Sequence, residues 1–336
     1  MWKYAVVCLL VISPVTGTQA AIERLPKEPG FSGFVLFGGG YAKLENNLLA
    51  GNDLIDIGNE QISSLTDAPE SDSSPVPAAN FDLRYTFSNL RTQLFWGNRM
   101  VDFLRFDVTI GIGVRQMLGK SILEVAVVQP PVIQTQMWSD PYAVGVDRTE
   151  TDVDLDGLRV TWDRIGGSGL AFRALYRDYE LDDETSGTFL GLSPTDRALL
   201  SRDGETLQLT GVWSFRLSDR HILAPEIQYH DFDYDGEAMA YDGYQAEINY
   251  AYNGSRAAVV LILSHGEYEN KAANPIYGVT DEFDRTTISI TTFIDLFGKR
   301  PTWNAYAILA HGESDHDIDF YDTKSTTATV GAVYRW

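Results

Sequence analysis

The last eleven residues of the chain, Thr326 to Trp336, decide the fold. They read Thr-Thr-Ala-Thr-Val-Gly-Ala-Val-Tyr-Arg-Trp. In strand geometry, alternate residues lie on opposite faces, so one face suits lipid and the other suits water. The lipid face comprises Thr326, Ala328, Val330, Ala332, Tyr334 and Trp336. A free edge strand of this kind would be a liability in a soluble protein, whereas as the closing strand of a barrel it pairs with the first strand.

The same stretch carries a terminal motif. Its ending, Gly331-x-x-Tyr334-x-Trp336, resembles the C-terminal signal that the barrel-assembly machinery of Gram-negative outer membranes recognises. The resemblance combines position, alternation and a terminal aromatic residue, and it implies that this machinery is a partner. The alternative is an ordinary edge strand of a soluble β-protein.

The first twenty residues carry the features of a secretory signal peptide. Lys3 precedes an apolar run from Tyr4 to Ile12, and small residues follow. The run is too short and wrongly flanked for a membrane helix. We therefore expect residues 1–20 to be a signal peptide and 21–336 to be one exported domain. The one cysteine, Cys8, lies in the signal, so we expect no disulfide in the exported chain.

Charge and hydropathy narrow the function classes. The net charge of −21 argues against nucleic-acid binding, which needs a basic surface. Beyond the signal, no run approaches the roughly 18 apolar residues of a spanning helix. Barrel strands need only about ten alternating residues each. Paired alternating segments, with short turns and long loops in strict succession, predict an all-β, antiparallel up-and-down transmembrane barrel. We expect about fourteen strands, with twelve or sixteen as the alternatives.

Two stretches illustrate the predicted wall. The clearest predicted strand runs from Leu104 to Arg115, with an apolar stripe opposite polar and small residues. By contrast, the segment from Leu44 to Ala79 is acidic and rich in Ser, Pro, Asn and Asp, and it is predicted to be the first long loop. The apolar stripe comprises Leu104, Phe106, Val108, Ile110, Ile112 and Val114.

Charged residues recur on the water-facing side of the predicted strands. One interpretation is a positive lumen wall that selects anionic solutes, as side-chain rings do in pores. The other is that each arginine pairs with a neighbouring carboxylate and fills the lumen, since small barrels are filled by side chains. Both stay open. The set comprises Arg84, Arg91, Arg105, Asp107, Arg115, Arg159, Arg173, Arg177 and Arg216.

Two acidic runs match the first half of a calcium-binding loop. Position twelve is Asp163 or Asp242 where Glu is usual, and no flanking helices are predicted. We expect carboxylates at strand tops, which could hold divalent cations beside lipopolysaccharide; no other cofactor is expected. The runs comprise Asp152, Asp154, Asp156, Asp231, Asp233 and Asp235.

A His-Gly-Glu sequence occurs twice near predicted strand tops. It spans His265 to Glu267 and His311 to Glu313, and His-x-Glu on a strand puts both side chains on one face. The two pairs could form an extracellular metal site or a hydrolytic centre in which a carboxylate and a histidine activate water. The alternative is that repeated hairpins end alike at the membrane rim.

The signal peptide, paired strands and closing strand together resemble a family of outer-membrane proteins of marine and enteric gammaproteobacteria with no assigned activity. The resemblance rests on architecture and on stretches such as Phe31 to Tyr41 and Asp102 to Gln116. It implies an outer-membrane location in contact with lipid and lipopolysaccharide, and it supplies no catalytic residue. It leaves the oligomeric state open.

Our leading functional hypothesis is a non-enzymatic, porin-like channel for small polar or anionic solutes with an arginine-rich lumen wall. The second hypothesis is a closed-lumen surface protein that binds divalent cations or hydrolyses substrates through the rim residues. The third is a structural barrel that anchors lipopolysaccharide or a partner.

Overall fold

Fourteen antiparallel strands form a closed barrel. The computed structural model describes residues 25–52, 54–105, 109–130, 134–297 and 303–336. β1 pairs with β14 from Phe34 opposite Arg335 to Glu45 opposite Lys324, which closes the wall. The predicted fold class and strand number are therefore confirmed. The wall strands are β1 Gly30–Glu45, β2 Ser71–Thr86, β3 Thr92–Gly97, β4 Ile110–Leu118, β5 Ser121–Gln129, β6 Glu150–Asp163, β7 Leu170–Leu181, β8 Gly204–Trp213 with Phe215–Arg216, β9 His221–Tyr234, β10 Tyr241–Asn253, β11 Ala257–Ala273, β12 Thr280–Asp295, β13 Trp303–His316 and β14 Thr323–Arg335.

The outside of the barrel is apolar. Trp96, Ile248 and Val330 are 49%, 50% and 63% exposed, positions that a water-soluble protein would bury. None of the helices in the described ranges is both long and apolar enough to cross a membrane. An even-numbered antiparallel barrel with an apolar exterior belongs in an outer membrane, with its short turns and both ends on the periplasmic side.

The closing strand has the two faces that its sequence predicts. In β14, Thr329 and Val333 are buried on the inside, whereas Ala328 and Val330 are exposed on the outside. Backbone hydrogen bonds between Gly33 and Trp336 complete the seam. The predicted signal peptide, residues 1–20, lies outside the described residues.

The prediction of a loop from Leu44 to Ala79 is wrong at both ends. β1 continues to Glu45 and β2 begins at Ser71, so only residues 46–70 connect them. Pro75 and Pro77 lie within β2. They are tolerated because β3 ends at Gly97, opposite Asp82, so the upper half of β2 pairs with β1 alone. A proline there removes no second ladder bond.

The predicted strand from Leu104 to Arg115 is wrong in its first half. β4 begins only at Ile110, and a short helix, Met100–Phe103, precedes it. Leu104, predicted to face lipid, is 2% exposed and packs inside the barrel. Alternation alone could not reveal this, because the lumen also has an apolar side. Phe106, Asp107 and Val108 lie outside the described residues.

Extracellular loops meet above the barrel in an apolar cluster that we call the lid. Short strands, Leu49–Asn52, Ile55–Asp56 and Thr135–Trp138, extend the upper end of β6, and a second helix spans Pro194–Ala198. Short 3₁₀ turns span Ile165–Gly167 and Asp319–Tyr321. The lid residues come from five loops and are Ile62, Tyr142, Leu200, Met239, Ile318, Phe320 and Tyr321.

Candidate functional site

A segment between β3 and β4 turns into the lumen. β3 and β4 are only six and nine residues long, and the chain between them folds inward as the Met100–Phe103 helix. We call residues 99–105 the plug. Its charged and apolar side chains both contact the inner wall, on different sides of the barrel.

Asp102 is the centre of the charged contacts of the plug. Arg99 donates two hydrogen bonds to its carboxylate, at 2.7 and 2.8 Å. Arg159 of β6 approaches it at 3.1 Å and Arg173 of β7 at 3.7 Å. Asp102 is 4% exposed, so three guanidinium groups surround a carboxylate that water barely reaches. A buried charge is stable only with partners of this kind.

Glu124 of β5 forms a second buried centre beside the first. Arg115 donates to it at 2.7 Å and Arg159 at 3.2 Å, and Arg99 of the plug lies 3.8 Å away. Gly111 makes this approach feasible, because a Cβ there would lie 3.0 Å from Nη2 of Arg159. The two centres share Arg99 and Arg159, so the plug and wall form one network.

Arg105 joins the other end of the plug to a different part of the wall. It pairs with Glu226 of β9 and with Glu247 of β10, the latter at 2.5 Å. Asn249 donates to both carboxylates at 2.9 and 2.8 Å. The plug is thus ion-paired to β5, β6, β7, β9 and β10.

The apolar contacts of the plug are with a different part of the wall. Leu104 packs into a buried cluster that lines the inner face of β1, β2 and β11 to β14. The sequence has apolar residues on both faces of the segments Ala257 to Leu263 and Asn304 to Ala310, which favours a partly filled lumen on this side. The other members are Phe34, Leu36, Ala78, Val260, Ile262, Phe293, Tyr306, Ile308 and Val333.

The remaining charged residues of the predicted wall lie outside the plug network. Arg84 pairs with Asp82 at 2.5 Å, and Arg177 donates to Thr109 at 3.5 Å. Arg91 is exposed in the turn between β2 and β3, which places it off the wall, and Arg216 is exposed at the periplasmic end of β8. Asp107 lies outside the described residues.

The first acidic run lies on the outer face of β6, where amide groups contact it. Gln136 donates to Asp152 and Gln134 donates to Asp154, each at 2.9 Å. Asp156 is exposed on the same face.

A lysine meets the second acidic run. Lys271 donates to Asp231 at 3.0 Å and to Asp233 at 2.8 Å. Asp235 is exposed just beyond the end of β9. The two runs therefore stay apart, and neither forms a metal-sized cluster among the described residues.

The predicted rim histidines lie on the outer surface above the apolar belt. His265, Glu267 and Asp284 offer ligand atoms within 4.8 Å of one another, and all three are exposed. His311 lies 3.9 Å from Glu313, on β13. β12 separates the two pairs. Asp284 is the residue that sequence reasoning missed; it is opposite Glu267 in the β11–β12 register.

A cavity of about 390 Å³ lies beneath the lid, on the extracellular side of the plug. Aromatic side chains from β7, β9, β10 and β12 line it, together with Arg202 and Arg285. We call this cavity the chamber. Sequence analysis did not single out Arg285; the available signal was its inward phase in β12, shared with Asp281 and Phe283.

The residues of the terminal motif lie at the barrel seam. Gly331 pairs with Gly38 of β1. The ring of Tyr334 contacts the rings of Trp303 and Trp336, with centroids 4.9 and 5.8 Å away. Recognition of this motif by the assembly machinery stays a prediction.

A family model matches residues 30–335, which are the first residue of β1 and the last residue of β14. The chain belongs to the DUF2860 family of proteins of unknown function. The match therefore covers the whole wall, the plug and the chamber. No curated protein matches the chain.

Solved structures of similar shape are outer-membrane proteins. The channel DcaP of Acinetobacter baumannii is 11% identical with a TM-score of 0.43, and the match covers 91% of this chain and 98% of that one. The CymD monoaromatic hydrocarbon channel is 10% identical with a TM-score of 0.45, over 93% and 89%. A FadL homologue of Pseudomonas aeruginosa is 10% identical with a TM-score of 0.41, over 91% and 90%. At these values, no substrate or residue role is carried over.

Proposed function

We propose that the protein is a gated outer-membrane channel for small solutes, closed in this conformation by the plug. The observation that supports this most directly is the ion-paired segment 99–105 inside a membrane-spanning barrel. An element held in a lumen by ion pairs can leave it when those pairs are exchanged for other partners or for water. A purely structural barrel needs no such element.

In this proposal the wall arginines do not line an open selectivity filter. Arg115 and Glu124 are 1% and 0% exposed, so the network is packed and does not line a water-filled pore. In this proposal Arg159 and Arg173 hold the plug in place and face the solute only after it moves. Selection of the solute then falls to the chamber, which the solute meets first on its way inward. A channel of this kind performs no catalysis, so the prediction of a non-enzyme is kept.

Proteoliposome swelling with small solutes of graded size tests the proposal. We compare the wild-type protein with a variant in which residues 99–105 are replaced by a short Gly-Ser linker. The expected result is slow swelling with the wild type and fast swelling with the variant. Equal swelling in both would remove the gating role, and no swelling in either would remove the channel.

A second candidate function is divalent-cation binding at the outer rim. It is favoured by the convergence of His265, Glu267 and Asp284, a donor set that suits several divalent metals. Metal content of purified wild type and of His265→Ala is the test, with His311→Ala as the matched control. Equal metal content in all three would dispose of this site.

A further inference from the structure

The chamber contains an arginine that differs from those of the plug. Arg285 lies on the inner face of β12, with its guanidinium over the rings of Tyr268 and Phe283 at 5.1 and 5.5 Å. Its Nε donates to the hydroxyl of Ser314 at 3.2 Å. Within the described residues, no carboxylate forms an ion pair with it. Its charge is balanced by π-faces and hydroxyls alone.

The other charged residues around the chamber are already paired. Arg202 forms an ion pair with Glu184 at 2.7 Å, and Asp281 accepts a hydrogen bond from His316 at 2.7 Å. Glu313 points outward, towards His311. Among the chamber residues that the structure describes, the positive charge of Arg285 is therefore the one left for a ligand. Buried and partly buried charges in proteins are normally paired or hydrogen-bonded.

A second donor is left over in the same cavity. Arg202 is 3% exposed, and its Nη1 atom has no hydrogen-bond partner among the described residues. A buried donor without a partner costs stability unless a ligand or water meets it. Arg202 thus offers an N–H group in excess of what the described residues satisfy.

Aromatic rings form part of the chamber wall. Phe283 stacks on Tyr268 at 4.9 Å and meets Tyr241 edge-on at 5.2 Å. Tyr241 in turn stacks on Phe232 at 4.4 Å. Tyr241 and Phe283 line the cavity with Tyr179, Tyr234 and Tyr321, whereas Tyr268 and Phe232 lie outside its lining. Both faces of Phe283 are covered, one by Tyr268 and the other by His316 at 4.2 Å, so a flat ligand would meet this ring edge-on.

We propose that the chamber binds a small aromatic carboxylate, with the carboxylate on the guanidinium of Arg285 and the ring against Tyr241 and Phe283. This inference rests on the proposed channel function, of which it names the solute class. A guanidinium accepts a carboxylate in a two-point fork, which a neutral or compact cationic group cannot reproduce. The cavity, about 390 Å³, lies within the usual size range of ligand pockets.

Fluorine NMR of 4-fluorobenzoate with the full-length protein in detergent tests the site. The matched probes are 4-fluorobenzyl alcohol, which lacks the charge, and cyclohexanecarboxylate, which lacks the aromatic ring and competes for the site. The variants are Arg285→Gln and, as an exposed control, Arg216→Gln. We expect saturable binding to the wild type and to the control, weakened about 10- to 100-fold by Arg285→Gln, the range of one charged hydrogen-bonded contact. Cyclohexanecarboxylate should compete more weakly than benzoate.

Equal affinity of wild type and Arg285→Gln would overturn the proposal. So would binding of the alcohol as tightly as the acid, or preference for cyclohexanecarboxylate. Absence of binding to both the wild type and the plug-deleted variant, where access is open, would also overturn it. Binding in detergent requires no transport, so a channel that conducts without binding refutes only the solute class. A barrel that binds without conducting refutes only the channel function.

Discussion

The plug and the chamber occupy neighbouring levels of one lumen, yet the arginines around the plug and Arg285 of the chamber have different partners. Around the plug, Arg99, Arg105 and Arg115 each have a carboxylate within hydrogen-bonding distance, and the space is filled. In the chamber, Arg285 has aromatic rings and a hydroxyl, and the space is open. We infer that an arginine paired with a carboxylate has a structural role, whereas one without such a partner is available to bind a ligand. Its position on the lumen wall alone does not separate these roles.

The largest effect is expected when the plug arginines lose their shared carboxylate. Asp102→Asn leaves Arg99, Arg159 and Arg173 around a neutral amide. Removing one partner of a buried ionic network costs about 3–5 kcal/mol, which is enough to release the plug from the wall. Limited proteolysis within residues 99–105 and the temperature at which the barrel unfolds on gels measure the loss. The control is Asp156→Asn, which removes an exposed carboxylate from the outer face of β6.

An unchanged proteolysis pattern in Asp102→Asn, with cleavage no faster than in the control, would mean that apolar contacts such as those of Leu104 hold the plug without the ion pairs.

The reverse change makes the chamber resemble the plug. Ser314→Asp would place a carboxylate where the hydroxyl now accepts from Arg285 at 3.2 Å. An internal partner competes with an aromatic carboxylate, so the affinity should fall by about 1.5–3 kcal/mol, the value of a charged hydrogen bond. Titration calorimetry with benzoate measures it. Ser314→Asn is the neutral control of similar shape, and equal losses in both would assign the effect to size instead of charge.

Some features of these regions can be predicted from the sequence, and others cannot. The alternation of Thr326 to Trp336 predicts both faces of β14, because membrane and water impose opposite demands on adjacent residues. The inward turn at Leu104 was missed because alternating apolar residues can pack into an apolar lumen as well as face lipid. Arg285 was missed because the sequence does not give the distances between side chains on different strands, and those distances show that it has no carboxylate partner. Arg105 was placed on the wall for the same reason, since its partners, Glu226 and Glu247, are far away in sequence.

A smaller effect is expected in the lid, above the chamber. The hydroxyls of Tyr142 and Tyr321 lie 2.6 Å apart. Burial raises the pKa of Tyr142 to about 12, so the neutral phenol keeps this contact at ordinary pH. The pKa of Tyr142 is higher in the folded than in the unfolded protein. The stability that its neutral phenol contributes is therefore complete below about pH 10 and is lost as the pH rises towards 12.

Tyr142→Phe should weaken the lid by about 1 kcal/mol. Hydrogen exchange of the loop amides near Ile318 measures it, and Tyr252→Phe, remote from the lid on β10, is the control. Exchange as slow in the variant as in the wild type would mean that packing alone holds the lid.

The smallest effect is expected at an exposed ion pair. Lys271 bridges Asp231 and Asp233 outside the lumen, where its side chain is 32% exposed. Lys271→Met should change the stability by only about 0–1 kcal/mol, because water screens exposed pairs. Thermal unfolding followed by circular dichroism is the check. A loss as large as that of Asp102→Asn would show that burial does not set the strength of these contacts.

The ion current through single molecules in a planar bilayer tests whether ion pairs to Asp102 keep the plug in the lumen and so close the channel. We predict little steady current from the wild type and from Asp156→Asn, and long open periods from Asp102→Asn. The same current from all three proteins, whether high or absent, would contradict the account.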